Sequence, residues 1–526
     1  MQAIDFLLEQ DPVTATWLGD HRFDSQLPDM SVKAMARQTL VLEDFLTELD
    51  AVDDVELENP DLVDLEILRA QLLKVHFALT QVQEPTWNPM VWNPGTAIHL
   101  LLNRDFAPEQ ERLGNARARA LSIPAFLESA RETLGNMPAI HVETAISQLR
   151  GSLHLVESID LPPEPARALV QHIEWLEQRL SESTRSPRCG SDLYAGILWH
   201  SLDQAMDANE LLDKAHMYLD VLTHSMLDIA EEYLTLAKVD MGNDPIRTAL
   251  NHIAAMSPVT NDTVLGLVES ALNSSREFAS QHDLVSIPDI HTDVIEMPEI
   301  HRGVAVAYCD APGPLEKANV PTFVAVAPTP TSWSVERQES FYREYNAVQI
   351  HDLTIHEAFP GHVLQLALSR QGANQSVVRR FGMSGVFVEG WAVYSEEFMI
   401  EAGYSPEPGR LSQLAIRLQQ LKMQARMTIN TILDISVHSK DMSEDEGMSL
   451  MLERGYQEEG EAAGKWRRAL LTAGQLPTYF VGYLSVKELA GDLQILHPDW
   501  APRQVHDLML SYGSPAPRYV RELVGL

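Results

Sequence analysis

Apolar side chains recur at three- and four-residue spacing over most of this chain. Residues 61–82 (DLVDLEILRAQLLKVHFALTQV) and 207–239 (DANELLDKAHMYLDVLTHSMLDIAEEYLTLAKV) show the pattern clearly. This spacing places the apolar side chains on one face of an α-helix, and that face must pack against other elements. The sequence therefore predicts helices over residues 1–285 and again from residue 336 to the C-terminus.

A short segment between these helical regions has a different composition. The stretches VSIPDIHTDVIEMPEI, GVAVAYCDAP and VPTFVAVAPTP are rich in β-branched residues and bounded by Pro or Gly. We expect about three strands of one small sheet between Val285 and Pro328, beside the long helix that follows. The predicted fold is mostly α, with an N-terminal helical region at 1–285 and a second region at 286–526. We expect the two regions to pack as one compact unit around a cleft.

Acidic residues greatly outnumber basic ones. The chain has 39 Lys and Arg against 75 Asp and Glu, which gives a formal net charge of −36. Because nucleic acids bind to positive surfaces, no nucleic-acid partner is expected. The acidity is explained either by a solvated surface that aids solubility or by a preference for cationic substrates. The two cysteines, Cys189 and Cys309, cannot form a disulfide framework or a Cys-rich metal site.

The sequence predicts neither a secretory signal peptide nor a membrane span. The first residues, MQAIDFLLEQDP, lack the basic start of a secretory signal peptide. No stretch approaches the roughly 18 consecutive apolar residues of a membrane span. We therefore expect a cytoplasmic protein without a membrane partner.

The stretch TIHEAFPGHVLQ, residues 354–365, carries two histidines and a glutamate in close succession. A zinc hydrolase needs three protein ligands, an open position for water and a carboxylate base. His356 and His362 are six residues apart, so on a regular helix they would point about 240° apart. Pro360 breaks the helical hydrogen bonding, and Gly361 permits an unusual backbone. We expect a bent turn that brings both imidazoles to one metal ion.

Interpretations without a metal remain open at this point. His-Glu pairs near another His arise by chance in a chain with 19 histidines. Asp352 precedes His356 by one helical turn and can pair with it directly. His351 is a competing ligand.

Glu389, in the stretch GVFVEGWAVYSEEF, is the candidate third ligand. In many helical zinc peptidases this ligand is a Glu on a following helix, roughly twenty to thirty residues on. Its neighbours are apolar, and a carboxylate among them is costly unless it is paired or bound to metal. The alternative is a glutamate near a helix N-terminus that faces water. Glu396, two helical turns later, can orient a ligand histidine.

Several later residues can support hydrolysis. Asp434 and His438 are one helical turn apart, so the carboxylate can orient the imidazole. Tyr479 or His438 can donate a hydrogen bond to the oxyanion of a tetrahedral intermediate. Tyr479 is otherwise an aromatic core residue, and His438 an exposed residue at a helix end. Arg468 can hold a substrate carboxylate or pair with an acidic neighbour.

One strand also has two interpretations. The stretch VPTFVAVAP is either an exposed edge that pairs with an extended peptide or the interior of the sheet.

With HEAFPGH and EGWAVYSEE together, the chain resembles the bacterial family called domain of unknown function 885, which is grouped with gluzincin-type zinc metallopeptidases. The resemblance spans nearly the whole chain, including LDISVHSKDMSEDEG and RALLTAGQLPTYFVG. It implies His356, His362 and Glu389 as zinc ligands and Glu357 as general base. The family's later segments match Asp434, His438, Arg468, Gln475 and Tyr479. The chain departs from the family's pattern at Ala473, Ile435 and Ser436, next to the segments that carry His438 and Tyr479.

The sequence thus predicts a zincin-like hydrolase with one zinc ion, most simply a peptidase acting on peptides. Glu357 would deprotonate the attacking water and pass the proton to the leaving amine. Two alternatives stay open, namely a zinc amidase acting on a small non-peptide amide, and a helical binding protein with a vestigial site. The sequence does not indicate an oligomeric state.

Overall fold

Helices make up most of the chain, as the sequence predicts. The computed structural model describes residues 2–53, 55, 57–297, 307–330, 333–372 and 375–526. Before the sheet the helices are α1 Gln2–Gln10, α2 Pro12–Leu18, α3 Val32–Asp50, α4 Asn59–Phe77, α5 Gly95–Leu102, α6 Glu109–Thr133, α7 Ala139–Glu157, α8 Glu164–Arg179, α9 Ser191–Leu202, α10 Ala208–Ala237, α11 Pro245–Met256 and α12 Val264–Gln281. After the sheet they are α13 Val335–Glu344, α14 Ala347–Glu357, α15 His362–Gln371, α16 Val377–Phe381, α17 Gly385–Glu401, α18 Arg410–Ser439, α19 Glu444–Ser449, α20 Glu459–Leu471, α21 Pro477–Leu496, α22 Pro502–Leu510 and α23 Pro517–Leu523.

The chain divides into two compact units, but not at residue 285. One unit comprises Met1–Cys189, Pro312–Val320 and Ser376–Gly382, and the other comprises Gly190–Ala311, Pro321–Gln375 and Met383–Leu526. The helices at 190–285 belong to the second unit because α10 packs along much of the length of α18. The change in composition near residue 285 marks where the helices end and the strands begin. It does not indicate which helices share a hydrophobic core.

Each unit has its own buried apolar interior. In the first unit, α6, α7 and α8 contribute the fully buried Leu127, Leu149 and Leu169. In the second unit, Ile355 and Trp391 are fully buried on helices that carry candidate site residues. In the described part of the chain, no helix combines the length and the apolar character that crossing a membrane requires.

A three-stranded sheet lies in the second unit, as expected between residues 285 and 328. Its strands are β1 Thr292–Glu296, β2 Ala307–Asp310 and β3 Thr322–Val326. The order is β1-β3-β2, with β3 parallel to β1 and antiparallel to β2. The stretch VPTFVAVAP is therefore the central strand, and its interpretation as a peptide-binding edge is wrong. Part of the other two predicted strand segments, residues 298–306, lies outside the described residues.

Two glycines allow α17 and α21 to approach each other closely. A Cβ on Gly390 would lie 2.3 Å from the carbonyl carbon of Gly482, and a Cβ on Gly482 would lie 2.2 Å from the carbonyl oxygen of Val386. Packed atoms cannot come so close, so this crossing requires glycine on both helices. Glu389 is next to Gly390, and Tyr479 lies three residues before Gly482. The crossing therefore brings these two candidate site residues near each other.

Replacing Gly482 with Ala should lower the free energy of unfolding by about 1–3 kcal/mol, because the added methyl group forces the two helices apart. Gly491→Ala is the matched control on the same helix, where a Cβ would meet no atom within 4 Å. This control should be neutral or stabilising by about 0.5–1 kcal/mol. Urea unfolding followed by circular dichroism measures both changes. Equal effects would contradict the close crossing.

Candidate metal centre

The helix is broken between the two histidines of the HEAFPGH motif, as the sequence predicts. Helix α14 ends at Glu357 and α15 begins at His362, with a cis peptide bond between Phe359 and Pro360. A Cβ on Gly361 would lie 1.9 Å from the carbonyl oxygen of His356. Gly361 has a φ of −73°, so the position requires glycine for space rather than for a positive φ. The break turns α15 so that its first residue faces the end of α14.

This break brings His356 and His362 together with Glu389. The two imidazole rings lie 4.7 Å apart and almost perpendicular, at 87°. One carboxylate oxygen of Glu389, Oε2, is 3.5 Å from Nε2 of His356 and 3.6 Å from Nε2 of His362. One ligand atom from each of the three residues lies within 4.8 Å of the others. Ligand atoms about 2.0–2.1 Å from one tetrahedral zinc ion lie roughly 3.3–3.5 Å apart, so the spacing fits a shared ion.

The polar atoms of this cluster need a further partner. Oε2 of Glu389 and Nδ1 of His362 are buried without a hydrogen-bond partner among the described residues. Buried polar atoms are almost always paired. The distances from Oε2 to the two Nε2 atoms are too long for good hydrogen bonds, yet these three potential metal-ligand atoms face one another. A cation between them would satisfy Oε2 and both Nε2 atoms, so two imidazoles and a carboxylate fit a zinc ion by chemistry as well as by spacing.

The electrostatics of the cluster favour positive charge at the same place. Burial alone would raise the pKa of Glu389, but the contacts with His356 and His362 hold it well below its usual value. Burial alone would lower the pKa of His356, yet the carboxylates of Glu389 and Glu396 raise it well above its usual value. Both shifts have one cause, a carboxylate and two imidazoles confined in a medium of low dielectric.

Glu396 contacts the outer nitrogen of His356. Nδ1 of His356 donates a hydrogen bond of 2.6 Å to Oε1 of Glu396. This bond fixes the ring and leaves the lone pair of Nε2 directed at the cluster, as ligand histidines commonly require. Glu396 is buried, and burial raises its pKa.

The local alternatives to a metal site have other partners. Nδ1 of His351 is hydrogen-bonded to the Tyr404 hydroxyl at 2.8 Å, and burial lowers the pKa of this histidine to about 4. The fully buried Asp352 accepts a hydrogen bond of 3.3 Å from Gln349, and burial followed by the charge of Glu396 raises its pKa. His356 thus bonds to Glu396 rather than to Asp352.

Glu357 is held beside the cluster by the sheet. It is the last residue of α14, and its Oε2 accepts a hydrogen bond of 2.9 Å from the backbone N–H of Cys309 on β2. This contact was not predicted from the sequence, because every residue except proline has a backbone N–H and the residue type therefore gives no signal. Nor was the role of Trp391, whose indole N–H donates to the Pro360 carbonyl oxygen at 2.8 Å and so supports the helix break.

Tyr479, Gln475 and Arg468 form a chain of contacts that reaches the cluster. Burial and the negative charge of Glu389 raise the pKa of Tyr479, which keeps its hydroxyl protonated. The Gln475 side chain interacts with Tyr479 and accepts a hydrogen bond of 2.7 Å from Nη2 of Arg468. The structure thus links Arg468 through Gln475 to Tyr479, which the charge of Glu389 reaches.

Asp434 and His438 hold the segment that carries these residues. Asp434 accepts hydrogen bonds from the backbone N–H groups of Gly474 at 2.9 Å and Leu476 at 3.4 Å. Nε2 of His438 contacts the carbonyl oxygens of Ala469 and Thr472, each at 2.9 Å. The His438 ring also stacks on that of Tyr194, which no sequence signal identified. These contacts favour a positioning role for His438 over the expected catalytic one.

Comparisons with known proteins connect this arrangement to a family. A family model described as "Bacterial protein of unknown function (DUF885)" matches residues 12–524. A candidate lipoprotein of unknown function from Shewanella oneidensis is similar in structure, with a TM-score of 0.82, 28% identity, and coverage of 99% of this chain and 98% of that one. A candidate lipoprotein from Colwellia psychrerythraea shares the fold, with a TM-score of 0.79, 16% identity, and coverage of 99% and 97%. Comparison with curated proteins found no match.

Replacing Glu396 with Gln should weaken zinc binding by about 10- to 100-fold while the protein stays folded, because the outer hydrogen bond loses its charge. Glu269→Gln, at an exposed position of α12, is the matched control and should leave the affinity unchanged. Competition with a zinc chelator of known affinity provides the measurement. An affinity equal to that of the parent would argue against the role of Glu396 in orienting His356.

Proposed function

This chain belongs to the bacterial DUF885 family of unknown function, and we propose that it acts as a zinc-dependent hydrolase, most simply a peptidase. The observation that carries the proposal is the three-donor cluster of His356, His362 and Glu389, which has spacing for one ion. Two histidines and a distant glutamate as ligands, with a second glutamate directly after the first histidine as the base, are typical of gluzincin-type metallopeptidases, which the sequence resembles. Structural histidine clusters have no need of this adjacent carboxylate.

In the proposed hydrolysis, Glu357 and Tyr479 have separate roles beside the metal ion. A bound zinc ion would polarise the scissile carbonyl and acidify water. The carboxylate of Glu357, oriented by its hydrogen bond to β2, would accept a proton from the attacking water and deliver it to the leaving amine. The protonated hydroxyl of Tyr479 would donate a hydrogen bond to the carbonyl oxygen as negative charge develops there.

Replacing Glu357 with Gln tests the assignment of the base. Turnover should fall by about 10²- to 10⁴-fold, because an amide cannot accept the proton. Zinc content should stay near one equivalent, because Glu357 is not among the three ligands. His362→Ala should lose the zinc, and His216→Ala, at an exposed position of α10, should behave like the parent. Elemental analysis and cleavage of a peptide library followed by mass spectrometry give the two readouts.

Two results would count against a zinc hydrolase. The first is a parent protein that binds well under one equivalent of zinc, with no change on His356→Ala. The second is a Glu357→Gln variant that cleaves as fast as the parent. Cleavage of small amides with none of peptides would instead favour the non-peptide amidase.

Replacing Tyr479 with Phe should lower kcat by about 10²- to 10³-fold, because one hydrogen bond to the developing oxyanion is lost. Zinc affinity and KM should change little. Tyr512→Phe removes a hydroxyl from a half-exposed position and is the control. Steady-state kinetics on the best library substrate measures the effect. An unchanged kcat would leave Tyr479 as a packing residue.

Location and partners stay predictions. We expect a cytoplasmic protein that acts on peptides or small amides, without nucleic-acid or membrane partners. The two structural neighbours are described as candidate lipoproteins, so fractionation of the expressing cell is the direct test of location.

A further inference from the structure

Arg468 is a cation without a carboxylate partner among the described residues. It lies near the end of α20 and is half-buried. Its Nη2 donates a hydrogen bond to the neutral amide oxygen of Gln475. Within the described ranges, no carboxylate forms an ion pair with its guanidinium. The sequence left two interpretations of Arg468 open, and the described part of the chain contains no acidic partner for it.

Three carboxylates in or beside α13 and α20 have cationic partners. Three ion pairs occupy them, namely Glu461 with Arg426, Glu344 with Lys422, and Glu458 with Arg343. Lys465, one turn before Arg468, is buried as well, and burial together with the positive charges of Arg426 and Arg468 lowers its pKa to about 7. These three carboxylates are thus paired with cations other than Arg468.

Arg468 is held in a fixed segment rather than on a free surface. The segment that follows it is anchored by Asp434 through two backbone N–H groups, as described above. Gly474 has a φ of +76°, and a Cβ there would lie 2.7 Å from side-chain atoms of both Ile197 and Ser201. A guanidinium presented by a rigid segment binds a ligand at a low entropic cost.

The guanidinium is also linked to the candidate metal centre through Gln475. Gln475 contacts both Arg468 and Tyr479, and Tyr479 interacts with the charge of Glu389. A substrate whose scissile carbonyl reaches Tyr479 therefore brings its next groups toward Arg468. Arginine offers a planar fork of N–H donors that matches a carboxylate.

We propose that Arg468 binds a carboxylate of the substrate, so that the enzyme prefers peptides or amides with a carboxylate close to the scissile bond. This inference rests on the proposed hydrolase function. The carboxylate is either the C-terminus of a peptide or an acidic side chain. The preference is the opposite of the preference for cationic substrates that the overall charge allows.

The test compares two pairs of N-acetylated tripeptide libraries. One pair differs only in a free or an amidated C-terminus, and the other pair is amidated and has Glu or Gln at the last position. The parent should favour the carboxylate form of at least one pair by about 10- to 100-fold in kcat/KM. Arg468→Gln should abolish this preference, so that kcat/KM for the carboxylate form of the pair falls to the value for the neutral form.

Two further variants keep the test decisive. Arg467→Gln removes the same charge from the neighbouring exposed position and should retain the full preference. Arg468→Lys keeps the charge but not the fork, and it should retain only part of the preference. If Arg468→Gln does not fold, the partial loss of the carboxylate preference in Arg468→Lys still tests the proposal. A parent without preference in either pair, or a preference that survives in both Arg468 variants, would overturn the inference.

Binding measurements separate this inference from the proposed function. The Glu357→Gln variant should bind the carboxylate libraries more tightly than the neutral ones by fluorescence competition, and adding Arg468→Gln should remove the difference. If the parent cleaves nothing while this difference holds, the hydrolase proposal fails and the carboxylate site stands. If cleavage occurs without the difference, the carboxylate site fails alone.

Discussion

The carbonyl oxygen of His356 would lie 1.9 Å from any Cβ at residue 361, and this close approach shapes the candidate metal centre. A continuous helix would send the two imidazoles to different sides. The break lets α15 begin anew at His362, and the indole of Trp391 supports it through the Pro360 carbonyl. Because Trp391 and Glu389 share helix α17, the element that supports the break also supplies the third donor.

Close backbone contacts of the same kind position the surrounding groups. Gly390 and Gly482 let α17 and α21 nearly touch, which brings Glu389 toward Tyr479. Gly474 allows the preceding segment to pack against α9, and Asp434 ties its backbone to α18. Glycines at these crossings bury no side chain, but they allow the helix backbones to approach closely and so fix the spacing between the helices. Sites supported by helices in this way hold their geometry better than sites on loops.

The helices, the small sheet and the broken turn were predictable because each has a local cause in the sequence. Periodic apolar residues define the helices, and Pro360 with Gly361 defines the break. The division into units was not predictable, since it depends on which helices pack together, as α10 does with α18. Long-range polar contacts were equally hidden. The bonds from His438 to two carbonyl oxygens and from Glu357 to the Cys309 N–H involve backbone atoms that every residue has.

Carboxyl groups crowd around the two histidines, and their burial constrains what the cluster can hold. Glu389, Glu396 and Asp352 are confined with Glu357 around His356, and burial raises the pKa of both Glu396 and Asp352. Several buried negative charges would repel one another strongly at low dielectric. Burial opposes ionisation of Asp352 and Glu396 by raising the pKa of each, and the hydrogen bond from His356 counteracts this effect at Glu396. The contacts with both imidazoles lower the pKa of Glu389, so the carboxylate that faces both Nε2 atoms is the one whose negative charge the cluster stabilises most. A divalent cation placed there gains the most.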